Sequence, residues 1–224
     1  MKNSLYGVIG AGGCGRGVLP LARKQLGSSN ISLEQLVFVD DAYSNQMING
    51  HRVLSHNQFL AETAGEHFAV IAVANTKDRN RIAIRCENDG VRPWSVVAEN
   101  VVQMDDVKIG AGAILSPFVT LTSNITIGEH FHANLYSYVE HDCVVGDFVT
   151  FAPGVKCNGN VQIGDYAYIG SGAVIKQGTP ESPLRIGEGA VIGMGAVVTK
   201  DVQNDDAVVG NPAKSIPKTR KRYR

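Results

Sequence analysis

A histidine at position 141 and a glycine at position 159 stand 18 residues apart in this chain of 224 residues. An imidazole is the side chain best suited to take up a proton near neutral pH. A glycine N–H, with no side chain to block it, can donate to a developing oxyanion. The pair is useful only if the chain repeats with a period that brings them together. Cys143, two residues beyond the histidine, offers a nucleophile as a second reading. His130 and His132 together with His141 offer three imidazoles for a zinc ion, a third. Near the start, Gly10-Ala11-Gly12-Gly13-Cys14-Gly15 fits G-x-G-x-x-G, with Asp40 at a distance suited to a ribose hydroxyl.

The elements that must position these residues follow from a period of six. An aliphatic or small residue recurs without a slip as Ile109, Leu115, Leu121, Ile127, Ala133, Val139, Val145, Phe151, Cys157, Ile163, Ile169 and Ile175, then resumes as Ile186, Ile192 and Val198. Neither a helix nor a two-faced strand has that period; a parallel β-helix does, each short strand forming one side of a triangular coil. Three hexapeptides make a coil of 18 residues, and coils stack about 4.8 Å apart. His141 and Gly159 therefore fall at the same place on adjacent coils. The position four past each key residue is also mostly apolar and points inward. Cys143 and Cys157 both fall on inward positions, so packing accounts for them, and His130 and His132 lie on another side of the prism, where only an inter-subunit site would unite them with His141. Glycine often follows the key residue, as in Gly110, Gly128, Gly146 and Gly164, suiting corners with positive φ. The segment from Gln177 to Arg185, with Pro180 and Pro183, exceeds the repeat and should bulge out as a loop.

Residues 1–100 read as a small α/β unit with a parallel sheet. Leu5 to Ile9, Leu36 to Val39 and Val70 to Ala74 are strands, and Arg16 to Gln25 and Lys77 to Asn88 are helices. About 100 residues supply one mononucleotide half of a Rossmann-like fold, a site for one nucleotide at the strand ends with phosphate at a helix N-terminus. The chain thus divides into an α/β domain (1–100), a β-helix (101–203) that it caps, and a tail (204–224).

Composition narrows the partners. Net charge is zero with pI near 7.0, so no global field favours nucleic acid or membrane. Lys214 to Arg224 carries six Lys or Arg residues, either a solvated tail or a local contact to an acidic ligand. No apolar run approaches the ~18 residues of a membrane span. Four cysteines without metal-type spacing and a polar start imply a reduced, cytoplasmic setting.

Several motifs in combination resemble a known group: the Gly-Ala-Gly-Gly-Cys-Gly loop, Phe38-Val39-Asp40-Asp41, Ile71-Ala72-Val73-Ala74-Asn75, Val139-Glu140-His141-Asp142-Cys143 with Gly146-Asp147-Phe148, and Gly210-Asn211-Pro212-Ala213-Lys214. Over nearly its whole length the chain resembles the left-handed β-helix acetyltransferases of the sialic acid O-acetyltransferase-like family, which includes bacterial nucleotide-aminosugar N-acetyltransferases of the bacillosamine and perosamine pathways. The resemblance implies a homotrimer with acetyl-CoA bound between neighbouring prisms, and no metal. It implies His141 as catalytic base, Asp142 as the acid that orients it, and Asn134 near the sugar. Gly159 would aim its N–H at the acetyl carbonyl, and Ser171 and Met194 would contact the coenzyme. Gly12, Gly13, Cys14, Asp40, Asp41, Ala74 and Asn75 would hold the nucleotide-linked sugar. Thr150 stands where some members have a second histidine near the thioester, and Cys14 where those members have a histidine in the loop.

The activity so implied is transfer of acetyl from acetyl-CoA to the 4-amino group of a UDP- or dTDP-linked 4-amino-4,6-dideoxy sugar for surface glycan synthesis. O-Acetylation of a sialic acid is a rival within the class. A zinc-dependent carbonic anhydrase-like trimer and a non-catalytic scaffold are rivals outside it.

Overall fold

Every residue of Leu36–Val39 is buried, the mark of a strand covered on both faces. In the computed structural model, which describes residues 4–29 and 31–216, that strand (β2) lies in a sheet with β1 (Ser4–Ile9), β3 (Met47–Ile48), β4 (His51–Leu54), β5 (Glu66–Ile71) and β6 (Arg92–Pro93). The order is β3-β4-β2-β1-β5-β6, parallel except for the β3–β4 hairpin. Alternation along the strands divides the core. Val8, Leu36 and Phe38 pack with Val18, Leu19, Ala22 and Leu26 of helix α1 (Gly13–Ser28). On the opposite face Ile9, Val37 and Val39 pack with Phe59 of α2 (His56–Ala61) and Cys86 of α3 (Thr76–Asn88). One expected strand shifts. The third expected strand is Glu66–Ile71, four residues earlier than Val70–Ala74 suggested, because Ala72–Ala74 already form the exit loop. The β3–β4 hairpin and α2 were not foreseen.

The remainder is a left-handed parallel β-helix. Each strand pairs in parallel with the one 18 residues on: His132 with Thr150 and Thr150 with Tyr168, for example, on one face, and Tyr138 with Lys156 on the next. Key residues from Leu115 to Ile175 and those two before them, from Ala113 to Ala173, are buried. Across Gln177–Arg185 the register lengthens: Val161 pairs with Leu184 and Ile163 with Ile186. Leu184 and Arg185 thus belong to a strand, and the loop is shorter than expected. It is closed by Gly178 N–H to Gly159 O at 3.0 Å and Leu184 N–H to Asn160 O at 3.1 Å. Ala207–Val209 continues the stack and Lys214–Ser215 turns back antiparallel upon it. The basic stretch beyond Ile216 lies outside the described residues.

The corner glycines need correction. Positive φ falls three residues past most key positions, at Phe118, Asn124, His130, Tyr136, Asp142, Phe148, Asn160 and Tyr166 among others, and not on the glycines that directly follow them. Those glycines answer a different need. The Asp165 carboxylate reaches across Gly146 to accept the Asp147 N–H at 2.8 Å, and Asp147 reaches across Gly128 to accept the Glu129 N–H at 2.7 Å. A Cβ on either glycine would collide with that carboxylate. Gly146→Ala should therefore cost roughly 1–3 kcal/mol, read as a lowered thermal midpoint. Gly13→Ala, where a Cβ meets nothing within 4 Å, should leave it near the wild-type value.

Candidate active site

The corner that joins the face of Tyr138–Val139 to that of Val144–Val145 carries Glu140, His141 and Asp142. Its tight turn holds Asp142 at φ 58° and leaves both His141 and Asp142 exposed. His141 Nδ1 and Asp142 Oδ2 are 2.8 Å apart. The other carboxylate oxygen accepts from Asn124 Nδ2 at 3.1 Å, from one coil earlier on the same corner. Above the imidazole lies Gly159. A Cβ built there would stand 2.6 Å from Cε1 and Nε2 of His141, so the ring occupies the space a side chain would need.

The bond to Asp142 raises the pKa of His141 above the ordinary 6.5, with the charges of Asp142, Glu140 and Cys143 adding to it. The same bond lowers Asp142, and the Asn124 amide lowers it further. Because the carboxylate occupies Nδ1, Nε2 is the nitrogen left to exchange a proton. A raised pKa means that the neutral, proton-accepting form fills as pH rises through a value above 6.5.

Cys143 is 1% exposed. Its sulfur donates to the Asn158 carbonyl at 3.3 Å and accepts the Val161 N–H at 3.4 Å. A hydrogen bond from Cys157 lowers its pKa, yet a sulfur closed to solvent has no line of attack on a substrate. His130 and His132 are buried, and His130 stacks on Phe148 at 5.0 Å. They belong to the corner and face following Ile125–Ile127, away from His141. Among the described residues no three His, Cys, Asp or Glu side chains are arranged to hold a metal ion.

The other expected prism residues fall elsewhere. Asn134, Ser171 and Met194 line up on the corner between the first face, that of His132–Ala133, and the second, that of Tyr138–Val139; all three are exposed, Met194 at 81%. Asn134 Oδ1 accepts from the Leu135 N–H at 2.8 Å. Thr150 is buried in the strand beside His132. One chain thus distributes the expected residues over two corners, with His141, Asp142 and Gly159 on one and Asn134, Ser171 and Met194 on another.

In the α/β unit the four loop glycines have separate reasons. Gly10 makes the turn at φ 100°, and Gly15 lets α1 lie against the Gly10 carbonyl and Phe38. Around Gly12 and Gly13, at the start of α1, a Cβ would meet nothing within 4 Å, so the space before the helix N-terminus is open. Asp40 accepts the Ala11 N–H at 2.8 Å and the Ala42 N–H at 3.0 Å, tying the glycine loop to the end of β2. Asp41 accepts the His56 N–H at 2.9 Å, and Arg85 lies 3.8 Å from it. Asn75 caps α3 through the Asp78 N–H at 3.0 Å. Cys14 is exposed, and partial burial raises its pKa.

Two residues escaped the sequence reading. Arg79, with no exposed surface, donates to the carbonyls of Val73 at 2.9 Å and Ala74 at 3.3 Å and so fixes the loop after β5. Burial lowers its pKa to about 10, which leaves it charged at neutral pH. Its signal in the sequence, one of three arginines in a polar helix, is weak. Asn124 had a usable signal: it stands 18 residues before Asp142.

Residues 7–86 match the PglD N-terminal domain, and residues 142–177 match the bacterial transferase hexapeptide (six repeats). The chain is 51% identical over 216 residues to the GDP-perosamine N-acetyltransferase of Escherichia coli O157:H7, covering 96% of this chain and 98% of that one. It belongs to the left-handed β-helix family of nucleotide-aminosugar N-acetyltransferases. Among solved structures, WeeI from Acinetobacter baumannii AYE is 53% identical, with a TM-score of 0.93 over 96% of this chain and all of that one. The acetyltransferase domain of PglB from Neisseria gonorrhoeae FA1090, in complex with acetyl coenzyme A, is 26% identical, with a TM-score of 0.81 over 96% of this chain and 100% of that one. Among the described residues of this acetyltransferase no helix is long and apolar enough to cross a membrane.

In the acetyltransferase, Asp142→Asn replaces the charge that favours the imidazolium with a neutral amide. His141 should then titrate lower, back towards its ordinary value, in an NMR titration of its imidazole.

Proposed function

We propose that the protein transfers the acetyl group of acetyl-CoA to the 4-amino group of a nucleotide-linked 4-amino-4,6-dideoxy sugar. The observation that carries this reading is the His141 imidazole, held by Asp142 at 2.8 Å and seated against Gly159. The sugar amine attacks the thioester carbonyl while His141 Nε2 takes its proton. The Gly159 N–H receives the developing oxyanion. Collapse of the tetrahedral intermediate breaks the C–S bond and releases CoA as a thiolate, which regains a proton from the imidazolium. No covalent acyl-enzyme is needed, in keeping with the burial of Cys143.

The nucleotide docks on the α/β unit. The open space before Gly12 and Gly13 suits a diphosphate at the N-terminus of α1. Asp40, Asp41, Cys14 and the loop at Ala74 and Asn75 contact ribose and base. The name of the 51% identical relative favours GDP over the UDP or dTDP expected from the sequence. The division of residues between two corners supports a homotrimer, in which Asn134, Ser171 and Met194 of one subunit complete the site at His141 of the next.

A thiol-release assay with acetyl-CoA against GDP-, UDP- and dTDP-linked 4-amino sugars and free sialic acid tests this. Turnover should be highest with GDP-linked 4-amino sugars and rise from acid to alkaline pH with an inflection above 6.5. Activity confined to free sialic acid would overturn the reading. His141→Asn should lower kcat by at least about 100-fold. Gly159→Ala should fold normally, since the ring of an exposed histidine can swing aside, yet lose at least about tenfold in kcat.

A further inference from the structure

Asp142 is exposed, with 46% of its side chain open to solvent. An exposed carboxylate that meets a neighbouring imidazole at one oxygen alone is free to rotate, and such pairs in water contribute little. Here the second oxygen is also held, by Asn124 Nδ2 at 3.1 Å. The two grips come from different coils and take one carboxylate oxygen each, which leaves Asp142 Oδ2 to Nδ1 of His141. The backbone reinforces the arrangement: Asp142 N–H donates to Ser123 O at 3.1 Å, so the two corners are joined directly below the pair.

We propose that Asn124 is a positioning residue for acetyl transfer, holding the Asp142 carboxylate so that His141 keeps one tautomer and one ring orientation over Gly159. The inference rests on the proposed role of His141 as base and extends it by one coil. A simpler reason for an asparagine exists, because φ at Asn124 is 59° and asparagine tolerates the left-handed region. Glycine serves that turn equally well, which separates the two explanations.

Few other charges bear on the pair. Asp142, Glu140 and Cys143 are the titratable groups acting on the imidazole among the described residues. The corner above contributes Asn158, Gly159 and Asn160, and the corner below Ser123 and Asn124, none of which titrates. Asp106, a further coil down, is paired with Lys108 at 3.4 Å.

The test uses the full chain with Asn124→Gly and Asn124→Asp, the second isosteric but without an N–H to give. Asn124→Gly should keep the wild-type thermal midpoint. Its kcat should fall roughly three- to tenfold with KM for both substrates unchanged, and the His141 imidazole should titrate at lower pH by NMR. Asn124→Asp should lose at least as much in kcat. Wild-type kcat in both variants overturns the proposal, as does a fall in the kcat of Asn124→Gly without a downward shift of its His141 titration. A wild-type protein with no acetyl transfer would sink the proposed function instead, while the titration without substrate would still decide the link from Asn124 to His141.

Discussion

Parallel backbone hydrogen bonds between residues 18 apart are the constraint on which the prism depends. They bind each short strand to its counterparts above and below, and no strand of two or three residues would persist without that ladder. Once the ladder is in place, side chains at equivalent positions are stacked whether or not they attract one another. The aspartates at 147 and 165 use the proximity to satisfy amides of the preceding coil. His130, Phe148 and Tyr166 use it to stack their rings at 5.0 and 5.5 Å. Asn124, Asp142, His141 and Gly159 use it to assemble a polar chain on an exposed corner, where packing alone would hold nothing in place.

Much of this was legible because the ladder has a fixed period and the period is written in aliphatic residues. The contact between His141 and Gly159 follows from counting. So does the inward aim of Cys143, whose 1% exposure excludes it as a nucleophile. The misreading of the glycines has the same physical root. A positive φ and a lack of room both select glycine, and only the path of the neighbouring aspartate distinguishes them. Asn124 was open to the same counting, but an asparagine at a turn carries so ready a local explanation that its reach to the next coil is hidden.

The α/β unit was less legible. Its strands are short, and Glu66–Ile71 enters the sheet through three half-buried residues, Glu66, His67 and Phe68, that carry no apolar alternation, which is why it was placed late. The β3–β4 hairpin and α2 depend on tertiary partners: Asp41 receives the first amide of α2, and β4 completes the sheet beside β2. Arg79 is the clearest case. A fully buried arginine that serves two carbonyls is intelligible only when the loop it braces is already in view.

The loop after Gly178 interrupts the coil without disturbing it. Two backbone bonds, to Gly159 O and Asn160 O, seal its base, and the strands beyond resume their pairing five residues late. Its base is therefore anchored on the amide step that seats the imidazole, while Thr179–Pro183 are exempt from the repeat. This gives the enzyme a module that can be exchanged: its length and chemistry can change at the rim of the His141 corner while the spacing of the imidazole and the Gly159 amide stays as it is.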